Sequence, residues 1–370
     1  MSGARHLYVH LPFCAHRCGY CDFVTVVGRD GQHRAYVDAL LRELELERAL
    51  LAPEPETLFL GGGTPTVTAL PELVRLLGSL PAAQEVTVEA NPETVTAELA
   101  RALRGAGVTR VSLGAQTFRP ELLQVLERVA GPDDVRRAVH HLRDAGFDNI
   151  SLDLVYGIPG QSASDLAADL GDALALEPEH LSCYELEAKP GTRFTHAWGA
   201  ELHRQADAME DYFERVVGTL TGAGYRWYET ANFCRVDGAR DLRSRHNLGY
   251  WLGRDYLGLG IGAVSTIENR RWRTTPRLGR YLRALAAGER PERELEDVGG
   301  GVRERERVML GLRLDEPLPL AGLRHALDPV GLARVESLGL AERGGGGDET
   351  LTLTERGRYL GGAVTAELLA

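Results

Sequence analysis

Residues 6–21 read HLYVHLPFCAHRCGYC, an apolar run followed at once by three cysteines. The run His6–Leu11 predicts a buried β-strand. Cys14, Cys18 and Cys21 come next with the spacing C-x3-C-x2-C. Three thiolates on one short loop can reach three corners of an iron–sulfur cubane. Because Asp and Phe follow instead of a fourth cysteine, we expect a [4Fe–4S] cluster with one iron open to another ligand.

Zinc is the alternative metal for this loop, with the three cysteines and either His10 or His16 as ligands. Structural zinc sites usually take their second pair of ligands from further along the chain. The two remaining cysteines, Cys183 and Cys234, lie in apolar segments, where free cysteines are commonly core residues. The spacing therefore favours the cluster.

Five more apolar runs alternate with segments of helical period. We predict strands at Thr57–Leu60, Glu85–Glu89, Arg110–Gly114, Asn149–Val155 and Leu181–Leu186. Strands that alternate with helices indicate parallel βαβ units and an α/β fold. Six units predict a partial (β/α)6 barrel of the TIM type, with an open doubly wound sheet as the alternative.

Polar or glycine-rich residues stand at the end of nearly every predicted strand. They are Gly61–Thr64, Glu89, Gln116, Asp153 and Glu187. In parallel α/β folds the ligand lies at the carboxyl ends of the strands. These residues therefore predict one site on one rim, although each alone could be a helix cap or a turn. Asn91-Pro92 is predicted as a turn.

We divide the chain into a barrel at 1–230, a Gly- and aromatic-rich extension at 231–298 and a C-terminal domain at 299–370. Helical patterns in the last part precede a predicted hairpin across Gly344–Gly347, which is typical of a winged helix. A DNA-binding regulator is therefore a distant alternative. Its arginines, Arg303, Arg305 and Arg307, are interleaved with glutamates, as on a solvated helix.

The composition excludes several classes of protein. A formal net charge of −11 argues against a chain-wide nucleic-acid surface. No apolar run is long enough to cross a membrane, and residues 1–13 do not form a signal peptide. Five cysteines in 370 residues, three of them clustered, do not suggest a disulfide framework. We therefore expect a cytoplasmic protein that does not bind nucleic acid.

Four segments together resemble the oxygen-independent coproporphyrinogen III oxidase family of radical S-adenosylmethionine (SAM) proteins. They are Tyr8–Cys14, Gly61–Thr66, Ser112–Gln116 and Asp153–Gln161. The resemblance runs from residue 6 into the C-terminal domain. It implies that SAM binds the open iron of the cluster and is cleaved by one-electron reduction.

The resemblance also implies a set of cofactor contacts. Tyr8 would lie near the cluster and the adenine, and Arg128 would hold the methionine carboxylate. The residues expected at the methionine ammonium and the ribose are Gly62, Gly63, Thr64, Glu89, Gln116 and Asp153. The role of Glu187 stays open.

Three features make the chain resemble the haem chaperone branch of that family. True oxidases carry a further cysteine where this chain has Phe23, and they have a long extension before the cluster. Residues 246–251, HNLGYW, are similar to an H-N-x-x-Y-W element of the chaperone branch that is linked to haem binding. His246 is thus either an axial haem ligand or a structural residue that helps cap a helix.

The sequence therefore predicts a radical SAM protein that binds haem as cargo and delivers it to haem-accepting, membrane-bound proteins. It would need an electron donor for the cluster, and a homodimer is compatible with the sequence. Oxidative decarboxylation of coproporphyrinogen III is the alternative function.

Overall fold

The computed structural model describes residues 3–187, 193–345 and 349–369. Strands and helices alternate through the first half of the chain, as predicted, and each predicted strand is present with its ends displaced by at most two residues. The elements of this part are β1 (His6–Leu11), β2 (Phe13–Cys14), β3 (Val26–Val27), α1 (His33–Glu47), β4 (Thr57–Gly62), α2 (Leu70–Ser79), β5 (Glu85–Ala90), α3 (Ala97–Gly105), β6 (Arg110–Gln116), α4 (Pro120–Val125), α5 (Pro132–Asp144), β7 (Ile150–Tyr156), α6 (Ala163–Ala175) and β8 (His180–Glu185).

Six parallel strands, in the order β1-β4-β5-β6-β7-β8, form a partial barrel. The next segment adds strands at both ends of this sheet, so β8 and β1 do not pair with each other. Its elements are α7 (Arg193–Gln205), α8 (Met209–Gly222), β9 (Tyr225–Glu229), β10 (Asn232–Arg235), α9 (Arg245–Trp251), β11 (Tyr256–Leu259), β12 (Val264–Ile267), β13 (Arg270–Thr274), α10 (Leu278–Ala286) and β14 (Arg293–Asp297).

Side chains alternate along the parallel strands between an apolar and a polar face. Leu58 and Leu60 of β4 belong to the large core cluster that includes the surrounding helices, as do their counterparts on the neighbouring strands. The opposite face is polar, for example at Ser112 of β6 and Ser151 of β7, which are paired in register. The barrel interior is therefore a lined cavity, unlike the interiors of TIM barrels that are filled with branched apolar side chains.

Helix α9 lies against the floor of this barrel. The Ser244 hydroxyl caps the helix by accepting from the Asn247 backbone N–H. The buried carboxylate of Glu85, from β5, accepts the backbone N–H groups of Arg245 and His246, both at 3.1 Å. A carboxylate at a helix N-terminus is favourable because it meets unpaired N–H groups and the positive end of the helix dipole.

The C-terminal part has its own apolar core, made by residues between 308 and 368. Its elements are α11 (Val302–Gly311), β15 (Leu318–Pro319), α12 (Pro329–Ser337), β16 (Ala341–Gly344), β17 (Thr350–Leu353), α13 (Glu355–Tyr359) and α14 (Gly361–Leu368). β16 and β17 form the predicted antiparallel hairpin, and β15 joins them in a small winged-helix-like sheet. Gly346 and Gly347, part of the predicted turn, lie outside the described residues.

The charged residues of α11 contact the rest of the chain. Arg303 binds Asp255 at 3.0 Å, and Glu306 forms a two-pronged ion pair with Arg271. These contacts hold the C-terminal domain against the extension that follows β10. In the described ranges, no helix combines the length and the apolar character needed to cross a bilayer.

A buried carboxylate connects α1 to the added strands and to α10. Glu43 is fully buried, and its Oε2 accepts from the Gly260 N–H at 2.8 Å and from the Tyr281 hydroxyl at 2.7 Å. Burial raises the pKa of Glu43 from 4.5 to about 7, although these two hydrogen bonds oppose the rise. Between about pH 4.5 and 7, the Glu43 carboxyl therefore keeps a proton in the folded protein that it releases in the unfolded chain.

This raised pKa predicts a pH-dependent contribution to stability. Glu43 should stabilise the fold below about pH 4.5, and this contribution should be lost as the pH rises through about 7. From pH 5 to pH 8, the free energy of unfolding of the wild type should therefore fall by roughly 2 to 3 kcal/mol relative to that of Glu43→Gln, at 1.36 kcal/mol per unit of pKa. Urea unfolding at both pH values measures the change. Glu45→Gln, at an exposed position on the same helix, is the control and should change with pH as the wild type does. The same change in the free energy of unfolding from pH 5 to pH 8 in wild type and Glu43→Gln would contradict the assignment.

Candidate functional site

The cysteine loop begins and ends on a pair of short strands. β2 and β3 pair in parallel, with Phe13 opposite Val26 and Cys14 opposite Val27. Within the loop, the Cys21 N–H donates to the Cys18 carbonyl at 3.2 Å. The local backbone thus places the three cysteines on one short loop.

The three thiols face a cavity of about 330 Å³ at the carboxyl ends of the parallel strands. Seven residues predicted from the sequence line the same cavity, namely Gly62, Gly63, Thr64, Glu89, Gln116, Arg128 and Asp153. Glu187 lines it as well. The fold therefore brings together residues that are more than 130 positions apart in the chain. We call this space the upper cavity.

Gly62 and Gly63 are required by close backbone packing. Gly62 has φ of +112°, and a Cβ there would lie 2.5 Å from the His10 ring. A Cβ on Gly63 would lie 2.6 Å from the Pro12 backbone. The two glycines let the loop after β4 lie against the end of β1, where the Thr64 N–H donates to the Phe13 carbonyl at 2.8 Å.

Asn91 joins two sides of the upper cavity, a role that the sequence analysis missed. Its amide nitrogen donates to Thr64 Oγ1 at 3.1 Å, and its carbonyl accepts from Arg128 Nη2 at 3.0 Å. Arg128 also donates to the Gly114 carbonyl at 2.7 Å, and its Nη1 lies 3.8 Å from Cys18 Sγ. Asn91 was predicted only as a turn residue, but its position two residues after Glu89 could have indicated the site.

Two carboxyl groups give the cavity wall its electrostatic character. Burial, and then the nearby Asp153, raise the pKa of Glu89 to about 7. Glu89 accepts from the Gly62 N–H at 3.1 Å. Burial also raises the pKa of Asp153, which is opposed by Arg110 and by hydrogen bonds from serines such as Ser112 at 3.1 Å. A cationic ligand beside these groups would favour their ionised forms.

Gln116 has a strained backbone at the rim of the upper cavity. Its φ is +63°, which is uncommon for a residue other than glycine, and the pairing of β6 with β7 shifts register between Gly114 and Gln116. Such strain is concentrated at functional sites. The bulge lets the Gln116 side chain face the cavity instead of continuing the strand pattern.

The donor set suits a cubane cluster better than a single metal ion. Within the three described ranges, no three His, Cys, Asp or Glu side chains are grouped so that they could hold one ion. The thiolates of a cubane bind different irons and need not converge on one point. His10, a ligand in the zinc alternative, is engaged at both ring nitrogens, by the Tyr8 hydroxyl at 3.1 Å and the Val24 carbonyl at 2.8 Å.

Tyr8 lies on β1, inside the barrel. It is not among the residues that line the upper cavity. It lines a second cavity of about 190 Å³ inside the barrel, which we call the lumen. Because the two cavities share Gly62 and Glu89, the expected place of Tyr8 near the cluster and the adenine stays a prediction.

His246 also lies at the lumen, and its geometry does not suit an axial haem ligand. The residue is 1% exposed, with Nδ1 2.8 Å from Thr57 Oγ1 and Nε2 2.9 Å from the Tyr250 hydroxyl. Its ring stacks on Phe59 with a centroid distance of 5.0 Å. Burial lowers the pKa of His246 well below its usual value, so the imidazole is neutral. Both nitrogens are already used, and the capping residue of the helix is Ser244.

Comparisons with known proteins agree with this geometry. The family model of the radical SAM superfamily matches residues 8–173. The haem chaperone HemW of Mycobacterium tuberculosis is 37% identical to this chain, over 98% of the chain and 94% of that protein. The haem chaperone HemW of Escherichia coli is also 37% identical, over 78% and 80%.

A solved structure supports the fold. The radical SAM enzyme coproporphyrinogen III oxidase (HemN) of Escherichia coli superimposes with a TM-score of 0.80. The superposition covers 99% of this chain and 90% of that one, at 24% sequence identity. At that identity the likeness bears on the fold alone.

Each cysteine of the loop should be needed for a cluster. Replacing Cys14, Cys18 or Cys21 by Ala should lower iron content and visible absorption after anaerobic reconstitution to the level of unreconstituted protein, because each thiolate holds one corner. Cys234→Ala, which removes a buried thiol on β10, is the matched control and should load normally. Cluster absorption that persisted in the triple variant would rule out this site.

His246 should stabilise the fold and should not bind the haem iron. His246→Ala should cost about 2 to 4 kcal/mol of stability, because it leaves a cavity and removes one hydrogen-bond partner each from Thr57 and Tyr250. Thr57→Val, which keeps the imidazole but removes its Nδ1 partner, should also destabilise the fold. After addition of haem, the absorption spectrum should be the same in both variants as in the wild type. A changed spectrum in His246→Ala alone would restore His246 as an axial ligand.

Proposed function

Because the chain belongs to the family of the haem chaperone HemW, within the radical SAM superfamily, we propose that it binds haem as cargo and transfers it to haem-accepting proteins. The observation that carries the proposal is the similarity to HemW along nearly the whole chain, 98% of it, including the C-terminal domain. The radical SAM model matches only residues 8–173, and that match alone would not indicate what the protein binds as cargo.

Phe23 supports the chaperone over the oxidase. It stands where the sequence analysis expects a cysteine in true oxidases, and it is 66% exposed. Its side chain lines both the upper cavity and the lumen. An exposed aromatic ring at this position can pack on a flat ligand but cannot provide a thiol.

The cofactors implied by the superfamily are a [4Fe–4S] cluster and SAM, and the upper cavity offers residues for both. Cys14, Cys18 and Cys21 would hold three irons. When bound, the cluster and SAM together supply one-electron chemistry. Glu89 and Asp153 would hold positively charged or hydroxyl groups of SAM. The raised pKa of Glu89, caused by burial, fits a carboxyl that ionises when a cation arrives.

The remaining predicted contacts complete the SAM site. Gln116 would bind a ribose hydroxyl, and the backbone of Gly62 and Gly63 would approach the methionine ammonium. Arg128 is held by Asn91 and the Gly114 carbonyl, and its guanidinium, which lines the upper cavity, would hold the methionine carboxylate.

The proposed partners follow from the chemistry. A cluster that gives electrons to SAM must receive them from an external donor. Haem released by a chaperone needs an acceptor, for which we propose a haemoprotein, including membrane-bound ones. α11 uses Arg303 and Glu306 in ion pairs within the chain, which weighs against binding nucleic acid. A homodimer and a cytoplasmic location remain part of this proposal.

One assay distinguishes the chaperone from the oxidase. Protein with a reconstituted cluster is incubated anaerobically with SAM and a reductant, and is given either haem or coproporphyrinogen III. We expect stoichiometric haem uptake, transfer of haem to an apo-haemoprotein, and no conversion of the porphyrinogen. Protein with all three loop cysteines replaced by Ala controls for chemistry that does not need the cluster. Formation of protoporphyrinogen IX by the wild type alone would replace the chaperone with the oxidase.

A further inference from the structure

The lumen lies below the upper cavity, inside the barrel. It shares Gly62, Glu89, Ser112 and Asp153 with the upper cavity, so the two spaces adjoin. Its volume is about 190 Å³, against about 330 Å³ for the upper cavity. It can therefore hold a small group or one arm of a larger ligand.

A buried arginine without a partner faces this lumen. Arg110 is 2% exposed and lines the cavity. Its Nε has no hydrogen-bond partner, and no carboxylate of the described residues lies within ion-pair distance of the guanidinium. A guanidinium carries five N–H donors and stays charged, so burying it without an acceptor is costly.

The carboxylates around Arg110 are engaged with other groups. Glu85 accepts two backbone N–H groups at the start of α9, and Glu89 accepts from Gly62. Asp153 accepts from Ser112. All three interact with the charge of Arg110 only through space. The guanidinium therefore still lacks an anion in direct contact.

A hydrogen-bond chain adds a second donor to the lumen. Thr57 Oγ1 lies 2.8 Å from both His6 Nδ1 and His246 Nδ1, and its single proton can serve only one of them. His6 Nε2 is buried without a partner, and an unpaired lone pair is tolerated better than an unpaired N–H. We therefore assign the His6 proton to Nδ1, which donates to Thr57.

This assignment determines which group donates at each step of the hydrogen-bond chain. Thr57 then donates to His246 Nδ1, and His246 Nε2–H donates to the Tyr250 oxygen at 2.9 Å. The Tyr250 hydroxyl proton is left to point toward another acceptor. Tyr250 and Asn247 both line the lumen with Arg110, so a guanidinium, a hydroxyl and an amide can all donate into it.

We propose that the lumen is a carboxylate subsite, in which Arg110 and Tyr250 bind the carboxylate of a short aliphatic arm of a ligand. Two sources have this chemistry, a propionate of haem and a free small organic acid. We favour the haem propionate, and this choice rests on the proposed function. The subsite itself rests on the unpaired guanidinium and the hydroxyl donor.

Titrations of the cluster-loaded protein with haem and with haem dimethyl ester test the proposal, since the ester has no carboxylate. The wild type should bind haem roughly tenfold or more tightly than the ester, as expected for charge-assisted hydrogen bonds. Arg110→Met should lose this preference, and Arg110→Lys should keep part of it. Arg101→Met, at an exposed position on α3, is the matched control and should behave as wild type.

A second measurement does not depend on haem. Saturation-transfer NMR with free propionate should detect binding to the wild type and to Arg101→Met but not to Arg110→Met. Thermal unfolding of each variant identifies any that fails to fold, and the comparison of haem with its ester in the wild type needs no variant. The subsite is overturned if the wild type binds haem and the ester equally well and also fails to bind propionate.

The outcomes separate the subsite from its occupant and from the proposed function. Equal binding of haem and ester, together with Arg110-dependent propionate binding, supports the subsite and overturns the haem propionate as its source. Absence of any haem binding, with propionate still bound, overturns the proposed function and leaves the subsite supported. Haem preference and propionate binding that are unchanged in Arg110→Met overturn the role of Arg110.

Discussion

The interior of the barrel is polar, and every polar group buried there needs a partner. Strand alternation turns the apolar side chains outward to the helices and leaves groups such as Glu85, Thr57 and Arg110 inside. Helix α9 provides hydrogen-bond partners for several of these groups. Its first N–H groups bind Glu85, and His246 continues the chain from Thr57 to Tyr250. The helix thus closes the floor of the barrel by satisfying groups that the strands alone leave unpaired.

This closure explains why the interior has two levels. The upper cavity lies among the strand ends and the cysteine loop, where glycines bring backbone close to backbone. The lumen lies between that level and α9. Glu89 and Asp153 belong to both levels, so a ligand that binds them above changes the charge balance felt by Arg110 below.

The C-terminal domain is held to the rest of the chain by ion pairs at two places. Arg226 of β9 forms a two-pronged pair with Asp315, and Arg271 of β13 forms another with Glu306. Arg–carboxylate pairs with this geometry fix orientation as well as contributing energy. The domain therefore lies against both extensions of the sheet. Its winged-helix-like shape serves packing within the chain in this structure.

The sequence by itself determined the strand order along the chain, the three-cysteine loop and most of the upper cavity. These features follow from local patterns, because apolar runs and cysteine spacing act over a few residues and parallel strand ends share one rim. Asn91, Arg110 and the orientation of His246 were decided by the tertiary structure alone. Asn91 resembles a turn residue, and Arg110 resembles any charge at the start of a strand. Asn91 binds Thr64 and His246 binds Thr57, both 27 or more residues away, whereas Arg110 is placed in the barrel interior without a direct partner among the described residues. Hydrogen-bond partners at that separation leave no periodic signal in the sequence, so only the folded barrel reveals them.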